Sequence, residues 1–397
     1  MKVVMVGPFG LRPHGTMSRR ALPLAKALAA HGHDVEVVLP PWSCPEDSGQ
    51  AWQEDGASIS NVTLPPPVPV WRDALIVGRL VRMALAGHPR VLHFFKPKGY
   101  AGLAAFLTWY LTRLRLANAR IVLDSDDWEG RGGWNEIGDY SWLEKRFFAW
   151  QERWGMKHCH ALTLASRTLE DLALEMGVDE GRIYYLPNGA ARSDALPDRQ
   201  AGTRVRTEWG LGDDPVVLLL TRFFEFEPGR VVSMMGRVMK EMPSTHLLVV
   251  GRGLLGGEEK RFLTLAEEAG VASHVAYAGW RERSELAGYF AASDLAILPL
   301  EDTLLNRARC PAKLVDLMAA KLPVVADDVG QVREYIEHMS SGYLVPPGDM
   351  DAFAAGVLRL LSDRQLRSRL GEHARRRVMD AFGWHKLAAV AERAYAG

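Results

Sequence analysis

The residues Asn306-Arg307-Ala308-Arg309-Cys310-Pro311-Ala312-Lys313 place three cations just ahead of an apolar helical pattern. The first turn of a helix carries unsatisfied N–H groups and the positive end of the macrodipole, so cations gathered there suit an anion such as phosphate. A solvated basic loop is the alternative. Arg222 is a further cation, at the end of the apolar run Val216 to Leu220. Asp316 lies one turn into the helix after Lys313, where a carboxylate accepts hydrogen bonds from ribose hydroxyls in other nucleotide folds or is simply a surface acid. The opposite chemistry appears in Asp124-Ser125-Asp126-Asp127-Trp128-Glu129-Gly130, whose carboxylates follow another apolar run. Oxygen ligands in such a cluster suit Mg²⁺ or Mn²⁺, and carboxylates also accept from substrate hydroxyls. His93-Phe-Phe-Lys96-Pro-Lys98 adds two cations that could neutralise a phosphate.

Positioning these groups requires a scaffold, and the chain repeats one pattern. Lys2 to Val6 is a short β-branched run closed by Gly7, Pro8 and Gly10; a helical pattern begins near Thr16 or Ser18 and closes at Gly32; Val35 to Leu39 is the next strand. Such a unit, with its right-handed crossover, builds a parallel sheet. Strands are expected again at 91–95, 121–123, 161–165 and 183–186, with helices over 102–116, 142–157 and from Ser166 through Glu175. After the turn Pro187-Asn188-Gly189 and a loop-like stretch from Ala190 to Gly202, strands recur at 216–220, 247–250, 275–278, 295–298 and 324–326. The chain therefore reads as two α/β domains, over 1–190 and 203–375, with 376–397 returning to the first. Ligands of open parallel sheets bind beyond the carboxyl ends of the strands, which puts every group named above on a candidate binding face.

Composition narrows the choice of function. The 397 residues carry 48 basic and 48 acidic side chains, so no global field draws the protein to nucleic acid. Its three cysteines, Cys44, Cys159 and Cys310, form no metal-ligand spacing and read as reduced thiols of a cytoplasmic protein. The apolar run from Tyr100 to Leu111 stops at Arg113 and Arg115, short of the roughly 20 residues that a membrane span needs. From Arg72 through Arg120, however, nine basic residues face a single acid, Asp73, among Leu, Phe, Trp109 and Tyr110. That mixture suits peripheral contact with the inner face of a membrane or, equally, burial of its apolar side. A dehydrogenase is excluded: the glycine spacing after the first strand is wrong, and the second strand ends in Leu39-Pro40-Pro41 without an acid.

At Pro187-Asn188-Gly189, and again from Arg309 to Val325, the sequence resembles the family 4 retaining glycosyltransferases of the GT-B fold. The resemblance extends in order through the first glycine loop, Arg222, Val250-Gly251-Arg252-Gly253, Ala278-Gly279-Trp280 and Lys313-Leu-Val-Asp316. It implies two Rossmann-like domains facing a central cleft, and transfer of a sugar with retention from a nucleotide-diphosphate sugar to a sugar or lipid-linked acceptor, without cofactor or metal. On that basis Gly15, Arg222, Gly251, Gly279, Trp280, Arg307, Arg309, Lys313 and Asp316 are expected at the donor, and Lys96, Asp126 and Asp127 at the acceptor and the chemistry. The sequence departs from the family twice. Glu227 stands where relatives carry a Lys, and Ala308 where they carry the first of two Glu; Asp316 stands for the second. Arg307, Arg309 and Lys313 are expected to replace the missing Lys, and Glu227 to turn away or be neutralised by Arg222 or Arg230. Alternatives are a nucleotide-sugar epimerase of the same architecture and a non-catalytic sugar- or nucleotide-binding protein.

Overall fold

The computed structural model describes residues 1–13, 15–66, 71–191 and 198–396. His14 of the first glycine loop, Pro67 of the triple proline and part of the stretch from Ala190 to Gly202 lie outside those residues. The chain forms two compact units: residues 1–189, 308–310 and 383–397 make the first, and residues 190–307 and 311–382 the second.

The first unit is built on eight strands: β1 (Lys2–Val6), β2 (Asp34–Leu39), β3 (Ala51–Glu54), β4 (Ala57–Asn61), β5 (Val91–Phe95), β6 (Arg120–Ser125), β7 (Ala161–Leu164) and β8 (Ile183–Tyr185). Their spatial order is β3-β4-β2-β1-β5-β6-β7-β8, parallel throughout except for the β3–β4 hairpin. β1, β5, β6 and β7 are almost wholly buried, which is why their sequences are continuous apolar runs rather than alternating ones. The second unit holds β9 (Val216–Thr221), β10 (His246–Gly251), β11 (Val275–Gly279), β12 (Leu295–Leu298), β13 (Val324–Asp327) and β14 (Tyr343–Val345), in the order β11-β10-β9-β12-β13-β14. That is the doubly wound order 3-2-1-4-5-6, whose direction reverses beside its first strand. The reversal lies between β1 and β5 in the first unit and between β9 and β12 in the second.

Two expected elements differ in detail. Thr16 is not a cap: its backbone is already helical (φ −55°, ψ −47°), and a π-helical segment Met17–Ala21 precedes the helix Leu22–Ala30. The expected single return element 376–397 is split at Gly383. The helix Arg364–Phe382 ends in the second unit, and Trp384–Ala396 packs in the first. There Arg120 Nε donates to the Ala394 carbonyl at 2.8 Å and the Tyr395 hydroxyl meets His93 Nδ1 at 2.8 Å. No helix among the described residues is long and apolar enough to cross a membrane.

Candidate functional site

In the first unit, the carboxyl ends of β5 and β6 bring Lys96 to Asp126 and Asp127. Lys96 holds a left-handed backbone (φ +51°), uncommon for a residue with a Cβ and a frequent mark of a functional position. Its amide donates to the Asp124 carbonyl at 2.9 Å, and its ammonium lies 2.9 Å from Asp127 Oδ2, 3.1 Å from Glu129 Oε1 and 3.8 Å from Asp126 Oδ1. Lys98 pairs with the other Glu129 oxygen at 2.7 Å and stands over the Tyr140 ring at 4.3 Å. Asp126 Oδ2 accepts from the Thr16 hydroxyl at 2.8 Å, so the π-helical turn after Gly15 is fastened to the carboxylate cluster. Gly15 itself is not sterically demanded, since a Cβ there would meet Arg19 Cγ at an ordinary 3.6 Å.

Burial and neighbours set the charges of this cluster. Burial, reinforced by Asp127 against the pull of Lys96, pushes Asp126 up to about 6. Asp127 is equally buried, but Lys96 and then Arg309 outweigh that and hold it below the usual carboxylate range. Burial would lower Lys96, yet Asp127, Glu129 and Asp126 together carry it well above its ordinary value. Burial beside Glu129 raises Glu152 well above the usual range; its Oε2 accepts from the Glu129 amide at 2.9 Å. Asp126 and Asp127 thus titrate in different ranges, the arrangement in which one carboxyl group can exchange a proton while its neighbour stays charged.

Asp124 is engaged elsewhere. The fully buried Arg20 grips both its oxygens, at 2.7 and 2.6 Å, and also donates to the Leu186 carbonyl at 2.7 Å and to Asn188 Oδ1 at 3.3 Å. Thr163 adds a third hydrogen bond to Asp124 at 2.6 Å. This hub fixes the carboxyl end of β6 to the Pro187-Asn188-Gly189 turn. Asn188 Nδ2 in turn donates to the Cys310 carbonyl at 2.8 Å, and Arg309 stands 5.8 Å from the Trp134 ring. Among the described residues no group of three His, Cys, Asp or Glu is arranged to hold a metal ion. His93 is buried between Tyr395 and Thr163, and burial drives it down to about 4, so it is a neutral packing residue.

In the second unit the candidates stand at the ends of β9, β10 and β11 and after β12. Arg222 follows β9, is exposed, and lies 5.8 Å from the Phe224 ring. Beside it Gly251 ends β10 with φ +138°, and a Cβ there would fall 1.8 Å from the Thr221 carbonyl oxygen, so no other residue fits without moving β9. Gly279 ends β11 at φ +69°, followed by a largely exposed Trp280. After β12 come Arg307 and the helix Ala312–Ala319 with Lys313 and Asp316.

The three expected cations have separate partners in the unliganded protein. Arg307 is half-exposed and pairs with Asp302 at 2.7 Å. Arg309 packs in the first unit instead. Lys313 forms a close ion pair with the buried Glu225. Asp316 lies 3.5 Å from Arg283. Glu227 does have a cationic partner, but neither expected one: Arg261 reaches it at 2.8 Å, while Arg230 is held by Asp327 at 3.1 Å. Ala308, at the position of the family's first Glu, is fully buried, and its carbonyl accepts from Ser166 Oγ. Arg20 and Glu225 were not legible as site residues, because a charge in a helix or loop looks solvated until tertiary packing buries it.

A family model described as glycosyl transferases group 1 matches residues 204–377, and a glycosyl transferase 4-like domain matches residues 15–189. The GDP-mannose-dependent alpha-(1-6)-phosphatidylinositol monomannoside mannosyltransferase of Mycobacterium tuberculosis (strain ATCC 25618 / H37Rv) is 25% identical over 395 residues, covering 98% of this chain and 96% of that one. Among solved structures, the sucrose-phosphate synthase of Thermosynechococcus elongatus superposes with a TM-score of 0.74 at 20% identity, over 99% of this chain and 98% of its own. HepE of Anabaena, in complex with UDP and glucose, gives 0.72 at 16% identity, over 99% of both chains.

Proposed function

The chain belongs to the family 4 retaining glycosyltransferases of the GT-B fold, and from that premise we propose that it glycosylates a lipid-linked acceptor at a membrane surface. The transferred sugar comes from a nucleotide-diphosphate sugar held by the second unit. The observation that carries the donor assignment is the position of Arg222 and Gly251 at the ends of β9 and β10, with Lys313 and Asp316 on the helix that follows β12, in a doubly wound sheet that switches between β9 and β12. In this reading Arg222, Lys313 and the first N–H groups of the helix Ala312–Ala319 receive the diphosphate. Charge then grows on the leaving group against fixed donors, which is where such a site lowers the barrier. Asp316 exchanges Arg283 for the ribose hydroxyls. Gly279 and Trp280 lie beside the base.

In the first unit, Asp126 and Asp127 accept hydrogen bonds from the acceptor. Lys96 keeps Asp127 ionised, and Asp126, with its raised value, is the group able to exchange a proton near neutrality. In this reading Arg309, whose charge helps hold Asp127 below the usual carboxylate range, screens charge beside it.

The lipid-linked acceptor is supported by an exposed aromatic face. The helix Gly99–Arg113 and the segment after it expose Leu107, Tyr110, Leu114 and Leu116, and the helix Trp142–Lys157 exposes Trp142, Leu143, Phe147 and Trp150. The two helices join where Phe106 meets Trp150 at 5.8 Å, and Arg113, Arg115, Arg146 and Arg153 flank them. Aromatic and aliphatic side chains rimmed by arginine suit the headgroup boundary of an anionic bilayer. This face differs from the stretch 72–120 read in sequence. The helix Trp71–Leu85 buries Ile76, Val77, Leu80 and Val81, whereas the exposed surface continues into 142–150. The relative from M. tuberculosis is named for a phosphatidylinositol-linked acceptor, in keeping with this choice. A thermal-shift series with UDP, GDP and ADP tests the donor site: at least one raises Tm in proportion to ln(1 + [L]/Kd), and no shift with any of the three contradicts it.

A further inference from the structure

Lys313, the cation at the first turn of the donor helix, does not face solvent alone. Its ammonium is held by Glu225, a buried residue from the loop after β9. Glu225 is fixed from several sides. Its Oε2 accepts from the Arg222 amide at 3.2 Å and the Thr221 hydroxyl at 3.3 Å. Its carbonyl accepts from Asn306 Nδ2 at 2.8 Å and the Glu301 amide at 3.0 Å. The turn itself is strained: Phe223 adopts φ +63° while its amide donates to Thr221 Oγ1 at 2.8 Å. Lys313 is the more exposed partner, with 19% of its side chain accessible against 2% for Glu225. The fixed member of the pair is therefore the anion, in a site read as binding an anion.

We propose that Glu225 is an internal competitor of the donor phosphates, holding Lys313 in the unliganded protein and yielding that ammonium to the diphosphate when donor binds. The proposal rests on the donor assignment above and extends it. A carboxylate a few ångströms from a diphosphate repels it, and at a partly buried site water screens that repulsion poorly. Lys313 offers three N–H donors, so it can swing toward phosphate while Glu225 keeps the hydrogen bonds of Arg222 and Thr221. The pair then sets donor affinity by difference: the ammonium attracts, the carboxylate opposes, and the net pull is small. Such a site releases its nucleoside diphosphate product more readily than one with an uncompensated lysine.

The test is a charge cycle on the full-length protein, measuring dissociation constants for UDP, GDP and ADP by calorimetry. Glu225→Gln should bind the preferred diphosphate about tenfold more tightly than wild type, with a steeper loss of affinity on adding salt. Lys313→Met, which leaves the carboxylate facing the phosphates without its cation, should bind on the order of tenfold or more weakly. The double variant should return to within about threefold of wild type, because both charges are gone. If Glu225→Gln folds poorly, the comparison of Lys313→Met with the double variant still decides. A double variant as weak as Lys313→Met overturns the proposal, as does unchanged or weaker binding by a folded Glu225→Gln. Failure of wild type to bind any of the three nucleotides overturns the donor assignment and, with it, this inference.

Discussion

Replacing Lys96 by Met would remove the cation that three carboxylates share. Its ammonium lies 2.9, 3.1 and 3.8 Å from Asp127, Glu129 and Asp126, in a region where Lys96 is 14% exposed and Glu129 only 2%. Methionine keeps the volume of the stem and the same left-handed backbone, so the difference is chiefly charge. Breaking a buried ion pair by deleting one partner costs about 3–5 kcal/mol, because the other charge is left uncompensated. For a unit of this size that corresponds to a fall in Tm on the order of 10 °C. The sign of its pH dependence follows from linkage. Without Lys96 the carboxylates of the cluster rise above their unfolded values, so the folded variant takes up protons that the unfolded chain does not. Its deficit relative to wild type should therefore be largest at pH 8 and shrink as pH falls toward 5. Thermal or urea unfolding of both proteins across that range measures it. A deficit under about 1 kcal/mol at pH 8, or one independent of pH, would refute the shared-cation account.

Arg222→Ala should weaken nucleoside-diphosphate binding by about 1.5–3 kcal/mol, the range for charge-assisted hydrogen bonds, while leaving Tm without ligand within a degree or two of wild type; calorimetry gives both. In wild type, kcat/KM should fall as pH drops through about 6, where Asp126 becomes protonated. In Asp126→Asn a lower rate should persist without that limb, and an unchanged midpoint would assign the titration to another group. Trp142→Ser combined with Trp150→Ser should abolish flotation with vesicles rich in anionic lipid, while circular dichroism stays unchanged because both rings are exposed. Glu227→Lys should alter nucleotide affinity by less than about 1 kcal/mol, since that carboxylate is turned to the exposed Arg261.

The buried parallel strands were legible because residues covered on both faces must be apolar without interruption, as in Val3-Val4-Met5-Val6 and Val216 to Leu220. The helix Trp142–Lys157 was legible to the residue, with Ser141 and Glu144 closing a capping box at its start. The β3–β4 hairpin was missed although its turn, Asp55-Gly56, is a strong signal, with both residues at positive φ (47° and 83°). Thr16 was misread for a different reason. A residue whose type suits a cap is helical here, because its hydroxyl finds a partner in Asp126, 110 positions away. The same long range hid Arg20 and Glu225: nothing in Ser18-Arg19-Arg20-Ala21 tells which arginine is fully buried against Asp124. Residue types at strand ends were readable, but their pairing into neutralised and available charges depends on packing.

The central claim is transfer of a sugar from a nucleotide donor, and acceptor-dependent release of nucleoside diphosphate tests it most directly. Purified protein is incubated with UDP-, GDP- and ADP-sugars, with and without vesicles carrying a glycolipid acceptor, and free nucleoside diphosphate is measured with and without EDTA. The account predicts release from one donor only when acceptor is present, undiminished by EDTA and strongly reduced in Arg222→Ala. Acceptor-independent conversion of the donor sugar, or turnover lost on chelation and restored by Mn²⁺, would contradict it.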